Sequence, residues 1–418
     1  MRYPLLLLTG LLAMACSNRE RTNPLDPYNP VTNGAPTGFQ AAANRDTATL
    51  TWDSIDVKGL EEYCIYRSVG GDSLRFRASV PDESNRFQDL NLMYDTTYTY
   101  AVQAITEWGE SRLSPLDTLI PGPYNFWVAD FNSGVWRISY DGAHVLEREY
   151  FNSPDAVVYQ PGEGRVWVAD YYDQAVYYMD VHFTGIEPIA LTGRPIDMVA
   201  DTIAGGVFIL QIALDAIYQA TPAGTTLTTN KIPVRLDPDA SFTLDLQSSS
   251  LWLGTPTGSG DGVVYRLRPP APGGRWELAA SIPKPKKVAA DPVAGGCWVA
   301  TDSGVVRIDT DGHLTTYLTD HRVLDISLNP ANGDCYYIGR SHHDGQWQTG
   351  RLYGQPEPQI ILGADYSNLT GIQVLPGEGP AGFLVSQRST GRILRFDREG
   401  DLIGWLGGFY ELLDFSLE

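Results

Sequence analysis

The stretch FWVADFNSGVWRISYDG, residues 126–142, contains a tetrad that recurs along the chain. WVAD at Trp127 is repeated as WVAD at Trp167, FILQ at Phe208, WLGT at Trp252, WVAT at Trp298, YIGR at Tyr337 and LVSQ at Leu384. Successive copies are 39–47 residues apart. A fixed period of this length is the signature of a repeat architecture. The aspartate and aromatics of the stretch are therefore predicted to belong to a repeated strand and turn.

Each tetrad lies within a larger unit of four predicted strands. PDAVVY at Pro154 precedes the second copy after a turn, and GVWRISYDG and HVLEREYF follow the first copy. Turns such as QPGEGR and DPVAGG supply the glycines that tight hairpins need. Four antiparallel strands in about 40 to 50 residues make one blade of a β-propeller.

The first tetrad has no inner strand ahead of it, and the missing text stands at the other end of the sequence. LLDFSLE, residues 412–418, matches VLDISLN, residues 323–329, almost letter for letter. The last strand is therefore predicted to complete the first blade and to remove an open sheet edge. The expected fold is all-β, with a seven-bladed propeller over residues 121–418 that is closed by its C-terminal strand.

Residues 36–120 show a shorter, alternating pattern that predicts a β-sandwich. The predicted strands are ATLTW, EYCIYRS, FRASV and YTYAVQAIT. Pro36, Trp52, Tyr66 and the pair Tyr98 and Tyr100 resemble a fibronectin type III domain. That resemblance implies a spacer or a protein-contact module.

The propeller blades resemble those of the NHL family and related six- or seven-bladed propellers, which read IYVADSGNNRIxxFDxxG. WVADFNSGVWRISYDG is the closest local match. The resemblance implies the fold and leaves the activity open, because propellers serve both binding and catalysis.

The first residues predict export. MRYPLLLLTGLLAMAC has a basic residue, a short apolar run and then small residues before Cys16. The apolar run is too short to span a bilayer. Residues 1–15 resemble a bacterial lipoprotein signal, which implies lipid on Cys16; a plain signal peptide with an incidental cysteine is the alternative. Ser17 implies the outer membrane of a Gram-negative-type bacterium. Residues 16–35, rich in proline and asparagine, are predicted to be a flexible tether.

Composition narrows the classes of partner. The 418 residues carry a formal net charge of -20, which argues against nucleic acid and against direct attraction to an anionic membrane surface. No Gly-x-Ser-x-Gly elbow, phosphate loop or Cys-x-x-Cys-His motif appears, so no catalytic residue and no resident cofactor is predicted. Cys64, Cys297 and Cys335 lack zinc spacing and are expected to be small buried side chains.

The inner strands supply the candidate ligand-binding residues. One register places seven residues around a mouth of the central channel: Asp155, Asp197, Ser241, Lys287, Asp325, Gly371 and Asp414. Two interpretations remain open, a cation or polar-ligand site with Lys287 as counter-charge, or aspartates that cap backbone amides. Asp130 and Asp170, at the ends of their tetrads, should lie on the same face.

The sequence favours a non-catalytic binding or assembly scaffold for a protein or glycan at the cell envelope, held to the membrane through its lipid. The alternative is a propeller hydrolase or lactonase that uses a divalent metal at the channel mouth. Lactonases of this type hold the metal with Glu, Asn and Asp from separate blades. The predicted ring offers neither Glu nor Asn.

Overall fold

The computed structural model describes residues 22–418 except 132, 203–204, 213, 228–230, 259, 269–273, 353–357, 363–365 and 378–381. The predicted signal and Cys16 lie outside this range. The described residues form strands and turns without helices, so none of them provides a helix that could cross a membrane. Contacts divide the chain into a first unit that ends at Pro123 and a second unit, Tyr124–Glu418.

The first unit contains two antiparallel sheets that share one core. Its strands are β1 (Gln40–Asn44), β2 (Thr47–Thr51), β3 (Leu60–Val69), β4 (Arg75–Pro81), β5 (Arg86–Asp89), β6 (Tyr98–Thr106), β7 (Gly109–Glu110) and β8 (Asp117–Leu119). One sheet has the order β1-β2-β5, and the other has the order β4-β3-β6-β7 with β8 paired to β6. Leu50 from the first sheet and Ile65 from the second are fully buried in the shared core, as the alternating pattern predicts.

Residues 22–35 are folded into turns in the structure, although their composition predicts part of a flexible tether. The amide of Asp26 donates to the carbonyl of Asn23, and the amide of Asn29 donates to that of Asp26. Leu25 packs against the core of the first unit. The asparagine side chains close these turns by accepting amide hydrogen bonds, which composition alone does not reveal.

The second unit contains seven four-stranded antiparallel sheets among its described residues. Its strands are β9 (Phe126–Asp130), β10 (Gly134–Ile138), β11 (Val145–Glu149), β12 (Pro154–Gln160), β13 (Arg165–Asp170), β14 (Ala175–Asp180), β15 (Glu187–Ala190), β16 (Pro195–Ala200), β17 (Val207–Gln211), β18 (Ala216–Thr221), β19 (Gly224–Leu227), β20 (Ser241–Asp245), β21 (Ser250–Pro256), β22 (Gly262–Arg268), β23 (Arg275–Ser281), β24 (Pro285–Ala290), β25 (Cys297–Thr301), β26 (Gly304–Ile308), β27 (Leu314–Thr319), β28 (His321–Leu328), β29 (Cys335–Ser341), β30 (Trp347–Leu352), β31 (Gln359–Leu362), β32 (Leu369–Val374), β33 (Phe383–Gln387), β34 (Arg392–Phe396), β35 (Leu402–Gly407) and β36 (Leu412–Leu417).

Six of these sheets are built from four consecutive strands, and the first sheet has the order β11-β10-β9-β36. The last strand therefore pairs with the first tetrad, with Asp414 opposite Ala129 and Phe415 opposite Val128. This pairing was predicted from the sequence and is confirmed. The innermost strands β36, β12, β16, β20, β24, β28 and β32 contact one another in that cyclic order, and β32 returns to β36. The unit is thus a β-propeller.

The tetrads form the second strand of each sheet, where burial is most complete. All five residues of β9 are buried, and Trp127, Trp167 and Trp252 are fully buried. These tryptophans are packing residues, as the repeat predicts. Cys64, Cys297 and Cys335 are free and buried, which confirms their predicted place.

A glycine fixes the turn after the first tetrad. Gly134 has φ of 115°, and a Cβ atom there would overlap the carbonyl oxygen of Glu149. Only glycine fits such a position without strain. The predicted turn residues Asn132–Gly134 include Asn132, which lies outside the described residues.

Candidate functional site

Antiparallel pairing brings the ends of the tetrads and the starts of the inner strands to one face of the propeller. Asp130 pairs with Leu412, and Asp170 pairs with Pro154. We call this surface the tetrad face. It contains the predicted channel mouth and the loops that follow the tetrads.

In six of the seven sheets the hydrogen-bonding register places one inner-strand residue opposite the third residue of the tetrad, and in the sheet that contains YIGR it places Asp325 opposite the second residue, Ile338. These residues are Ala156, Asp197, Ser241, Lys287, Asp325, Gly371 and Asp414, and we call them the ring. Six of the seven agree with the sequence prediction. The seventh prediction, Asp155, is wrong by one residue. A bulge between Pro154 and Ala156 leaves Asp155 unpaired and puts Ala156 in register.

The three ring aspartates accept hydrogen bonds from channel-side backbone amides. Asp197 accepts from its own neighbour Met198 at 2.9 Å and from Phe242 of the next sheet at 2.9 Å. Asp325 does the same with Ile326 and Ile372, both at 2.9 Å. Each aspartate thus joins two adjacent sheets.

Asp414 completes the pattern. Its Oδ2 accepts from the amide of Val157 at 3.1 Å, and the amide of Phe415 is its second donor. Ser241 makes the corresponding bond to Val288 with its hydroxyl, at 3.4 Å. The innermost strand of a sheet has amides that no further strand can satisfy, so these side chains supply the missing acceptors.

Lys287 is the cation of the ring. Burial alone would lower the pKa of its ammonium group, but attraction to Asp197, Asp414 and Asp325 outweighs burial and raises the pKa above its usual value. Lys287 therefore stays protonated and neutralises part of the carboxylate charge. The ring aspartates therefore cap backbone amides and share Lys287 as their counter-charge.

The remaining carboxylates carry more negative charge than one lysine can balance. Burial raises the pKa of Asp414 to about 7 despite the attraction of Lys287. Burial likewise raises the pKa of Asp325 to about 6. The pKa of Asp155 is raised to about 7 by burial and then by the charges of Asp170 and Asp414. Protons are thus held at this mouth up to near-neutral pH.

The ring opens into a channel cavity of about 430 Å³. Besides Asp197, Lys287 and Asp414, much of its lining is apolar or carries hydroxyl groups, such as Phe242 and Ser416. A divalent metal does not fit this donor set well. The aspartates already accept backbone amides, and the Lys287 ammonium group lies among them, where it would repel a second cation.

Asp130 and Asp170 have fully buried side chains and cap loops. Asp130 accepts from the amides of Tyr410 at 3.0 Å and Glu411 at 2.7 Å, just before β36. Asp170 accepts from Ser153 at 2.9 Å and from Asp173 at 3.0 Å. Both lie at the predicted face, but neither carboxylate is presented to a ligand. Their contacts hold the loops that form the face.

A cluster of aromatic side chains on the tetrad face was not predicted. Phe131 and the pair Tyr171 and Tyr172 follow the first two tetrads, and Tyr410 precedes β36. Ring centres are 6.2 Å apart for Phe131 and Tyr172, 6.4 Å for Phe131 and Tyr410, and 5.5 Å for Tyr171 and Tyr172. Tyr172 is 53% exposed and Tyr410 is 67% exposed. We call these four residues the aromatic strip.

Polar groups border the aromatic strip. The Arg194 guanidinium lies 4.7 Å from the centre of the Tyr171 ring and donates to its hydroxyl at 3.0 Å. Arg388 and Glu411 form an ion pair of 2.7 Å beside Tyr410 in sequence. Exposed tyrosines next to arginine are enriched at binding surfaces. An aromatic residue directly after a tetrad was the signal in the sequence.

One further group of possible metal ligands, Asp309, Asp311 and His313, occurs in an exposed turn. Asp309 accepts from the amides of Asp311 at 2.9 Å and His313 at 2.8 Å. Those bonds, with the His313 amide first, lower the pKa of Asp309. The same turn recurs at Asp397, which accepts from Glu399 and Asp401, so it is a feature of the repeat.

Comparison with known proteins supports the fold. No protein-family model and no curated protein sequence matches the chain. Among solved structures, a candidate 6-phosphogluconolactonase from Bacteroides uniformis has a TM-score of 0.55 at 12% identity, and it covers 71% of this chain and 99% of its own. A second one, from Bacteroides fragilis, has a TM-score of 0.52 at 12% identity, with 71% and 98% covered.

Apo AztD from Citrobacter koseri has a TM-score of 0.50 at 7% identity, and it covers 71% of this chain and 98% of its own. These likenesses establish the β-propeller fold. At such low identity they carry no information about activity.

Proposed function

We propose that the protein is a non-catalytic binding or assembly scaffold at the bacterial cell envelope and that its tetrad face binds a protein or glycan partner. The observation that carries this proposal is the use of the ring aspartates in backbone hydrogen bonds around Lys287. Groups committed in this way hold the sheets together and are poorly placed to bind a catalytic metal.

The aromatic strip supports a binding role for the same face. Tyr172 and Tyr410 expose rigid side chains that combine an apolar ring with a hydroxyl group. Asp130 and Asp170 hold the flanking loops from beneath, so the strip stands on an ordered base. A preorganised surface loses less entropy when a partner binds.

We further propose that the first unit is a fibronectin type III-like spacer. Trp52 and Tyr63 pack with ring centres 5.2 Å apart in its core. The hydroxyl of Tyr98, at the start of β6, accepts from the amide of Met93 at 3.0 Å. A tyrosine at the start of this strand that bonds backbone a few residues upstream is typical of such sandwiches.

Export and lipid attachment through Cys16 complete the proposal, with the outer membrane as the site of anchoring. Mass spectrometry of the mature protein tests this directly. We expect an N-terminal lipidated cysteine, and a Cys16→Ala variant should leave the membrane fraction. A mature protein that starts elsewhere, without lipid, would refute the anchor and leave the tetrad-face proposal intact.

The binding role is tested by a photo-crosslinking residue placed at Tyr172 or at Tyr410 in cells, together with a glycan array. Tyr150, 65% exposed and outside the strip, is the matched control position. We expect a discrete adduct at the strip positions and none at Tyr150, or a glycan signal that Tyr172→Ser with Tyr410→Ser abolishes. If neither signal appears and the protein hydrolyses a lactone in a way that requires the ring aspartates, the lactonase alternative is supported instead.

A further inference from the structure

One edge of the first unit gathers positive charge in a chain that is otherwise strongly acidic. The whole sequence has 30 basic and 50 acidic residues. Arg67 on β3 and Arg75 and Arg77 on β4 nevertheless line one shallow cavity of about 290 Å³. The other lining residues are Val69, Asp72, Ser73 and Phe76.

The strand register places two of these arginines directly opposite each other. Arg67 and Arg75 are a cross-strand pair of β3 and β4. Like charges at such positions repel and destabilise the pairing. β4 is the edge strand of its sheet, so the cavity opens to solvent. An anion between the two guanidinium groups would turn this repulsion into attraction.

A buried carboxylate holds the arginines in place. Asp89 is fully buried and accepts from Arg67 Nη1 at 2.8 Å and from Arg77 Nη2 at 2.8 Å. It also accepts from the hydroxyl of Tyr100 at 3.0 Å. The guanidinium of Arg67 lies 5.6 Å from the centre of the Tyr98 ring. One carboxylate therefore orients two guanidinium groups but can neutralise only one.

Arg75 is the uncompensated charge. Within the described part of the chain it makes no ion pair, and neither does Asp72, the acidic residue that lines the cavity. Three guanidinium groups are thus balanced by only two carboxylates, and one of these, the buried Asp89, is shared by Arg67 and Arg77. Arginines on an edge strand also discourage strand pairing, but that role needs no buried aspartate to orient them.

We propose that Arg67, Arg75 and Arg77 form a binding site for an oxyanion, the carboxylate or phosphate group of an acidic ligand. Guanidinium groups match the planar or tetrahedral oxygens of these anions with paired hydrogen bonds. Ser73 adds a hydroxyl at the rim, and Phe76 offers an apolar contact. The site lies in the first unit and is independent of the proposed propeller function.

Two sources carry this chemistry, a small free anion and the acidic side chains of a protein segment. Titration calorimetry on the intact protein distinguishes them with inorganic phosphate, a glutamate-rich peptide and a glutamine-rich peptide of equal length. We expect binding of phosphate or of the glutamate peptide, weakened by salt. Saturation by phosphate indicates the small anion, and binding of the glutamate peptide alone indicates a protein segment.

Arg75→Gln is the decisive variant because Arg75 is exposed and its side chain makes no ion pair with the described residues. It should weaken binding about tenfold or more, since one charged hydrogen-bond donor is lost. Arg86→Gln on β5, also exposed but outside the cavity, should leave affinity unchanged. The proposal is overturned if neither phosphate nor the glutamate peptide binds, or if Arg75→Gln binds as the unaltered protein does.

Discussion

The contact between the last residue and β10 should be a main support of ring closure. Arg137 and Glu418 form a two-bond ion pair, with Nε and Nη2 each 2.6 Å from a carboxylate oxygen. Their side chains are only 4% and 3% exposed. Asn125 donates to Glu418 at 3.3 Å, and Arg137 stacks 5.7 Å from the Trp127 ring centre. Glu418→Ala would leave the guanidinium buried and without this carboxylate.

Removing one partner of a buried pair costs about 3 to 5 kcal/mol. We expect a loss near the lower value, about 3 kcal/mol, out of a total of about 5 to 15 kcal/mol. Arg137→Leu with Glu418→Leu removes both charges and should recover most of this loss. Glu399→Gln, in an exposed pair with Arg398, should change stability by less than about 0.5 kcal/mol.

Urea unfolding followed by tryptophan fluorescence measures this change, since only Trp52 and Trp108 of the ten tryptophans lie in the first unit. Hydrogen exchange at Asp414–Leu417 measures opening of β36 directly. The Arg137–Glu418 pair does not support ring closure if Glu418→Ala unfolds at the same urea concentration as Glu399→Gln, or if the double leucine variant is no more stable than Glu418→Ala.

Three further predictions concern the ring and its face. Asp155→Asn should stabilise the propeller at pH 8 by about 1 to 2 kcal/mol, a value reduced because solvent in the open channel screens the charge of Asp155. The pKa of Asp155 in the folded protein, about 7, is higher than in the unfolded chain, so the ionised aspartate destabilises the fold increasingly as the pH rises from about 4 to 7. Urea unfolding at several pH values should therefore show that the stability gained by Asp155→Asn vanishes towards pH 4. Lys287→Met should lower the free energy of unfolding by about 2 to 4 kcal/mol at pH 8. Near pH 5 the loss should be smaller, because Asp325 and Asp414 are then protonated and need no counter-charge. An equal loss at both pH values would contradict the counter-charge role of Lys287. Asp130→Ala should cost about 1 to 3 kcal/mol and speed exchange at the amides of Tyr410 and Glu411, and unchanged exchange there would show that the cap is unimportant.

The fold could be predicted because the same strand pattern recurs along the sequence. The first three residues of WVAD and of each copy are buried in every sheet, so the spacing of the copies predicts the spacing of the sheets. The pairing of residues 412–418 with Trp127–Asp130 was also accessible, because VLDISLN supplied a template for an inner strand. Each prediction needed only the periodicity of one chain.

The site was less accessible for physical reasons. Six of the seven innermost strands have a bulge directly before the ring residue. In PDAVV the aspartate occupies the bulge, whereas in PIDMV it occupies the ring position, so a prediction that equates the two aspartates misplaces Asp155. The aromatic strip depends on loops that are distant in sequence and meet only in the closed ring. Whether an aspartate caps a backbone amide or binds a ligand depends on differences in distance of less than about 1 Å. A pattern of residues does not encode such differences.

We propose that the ring is held by Lys287 and backbone amides rather than by a catalytic metal. Metal analysis of the purified, extensively dialysed protein, compared with an Asp197→Asn, Asp325→Asn and Asp414→Asn variant, tests it directly. We predict that neither protein retains a stoichiometric divalent ion. One equivalent of divalent metal in the unaltered protein, lost in the triple variant, would show that the ring aspartates bind a metal and would favour the hydrolase.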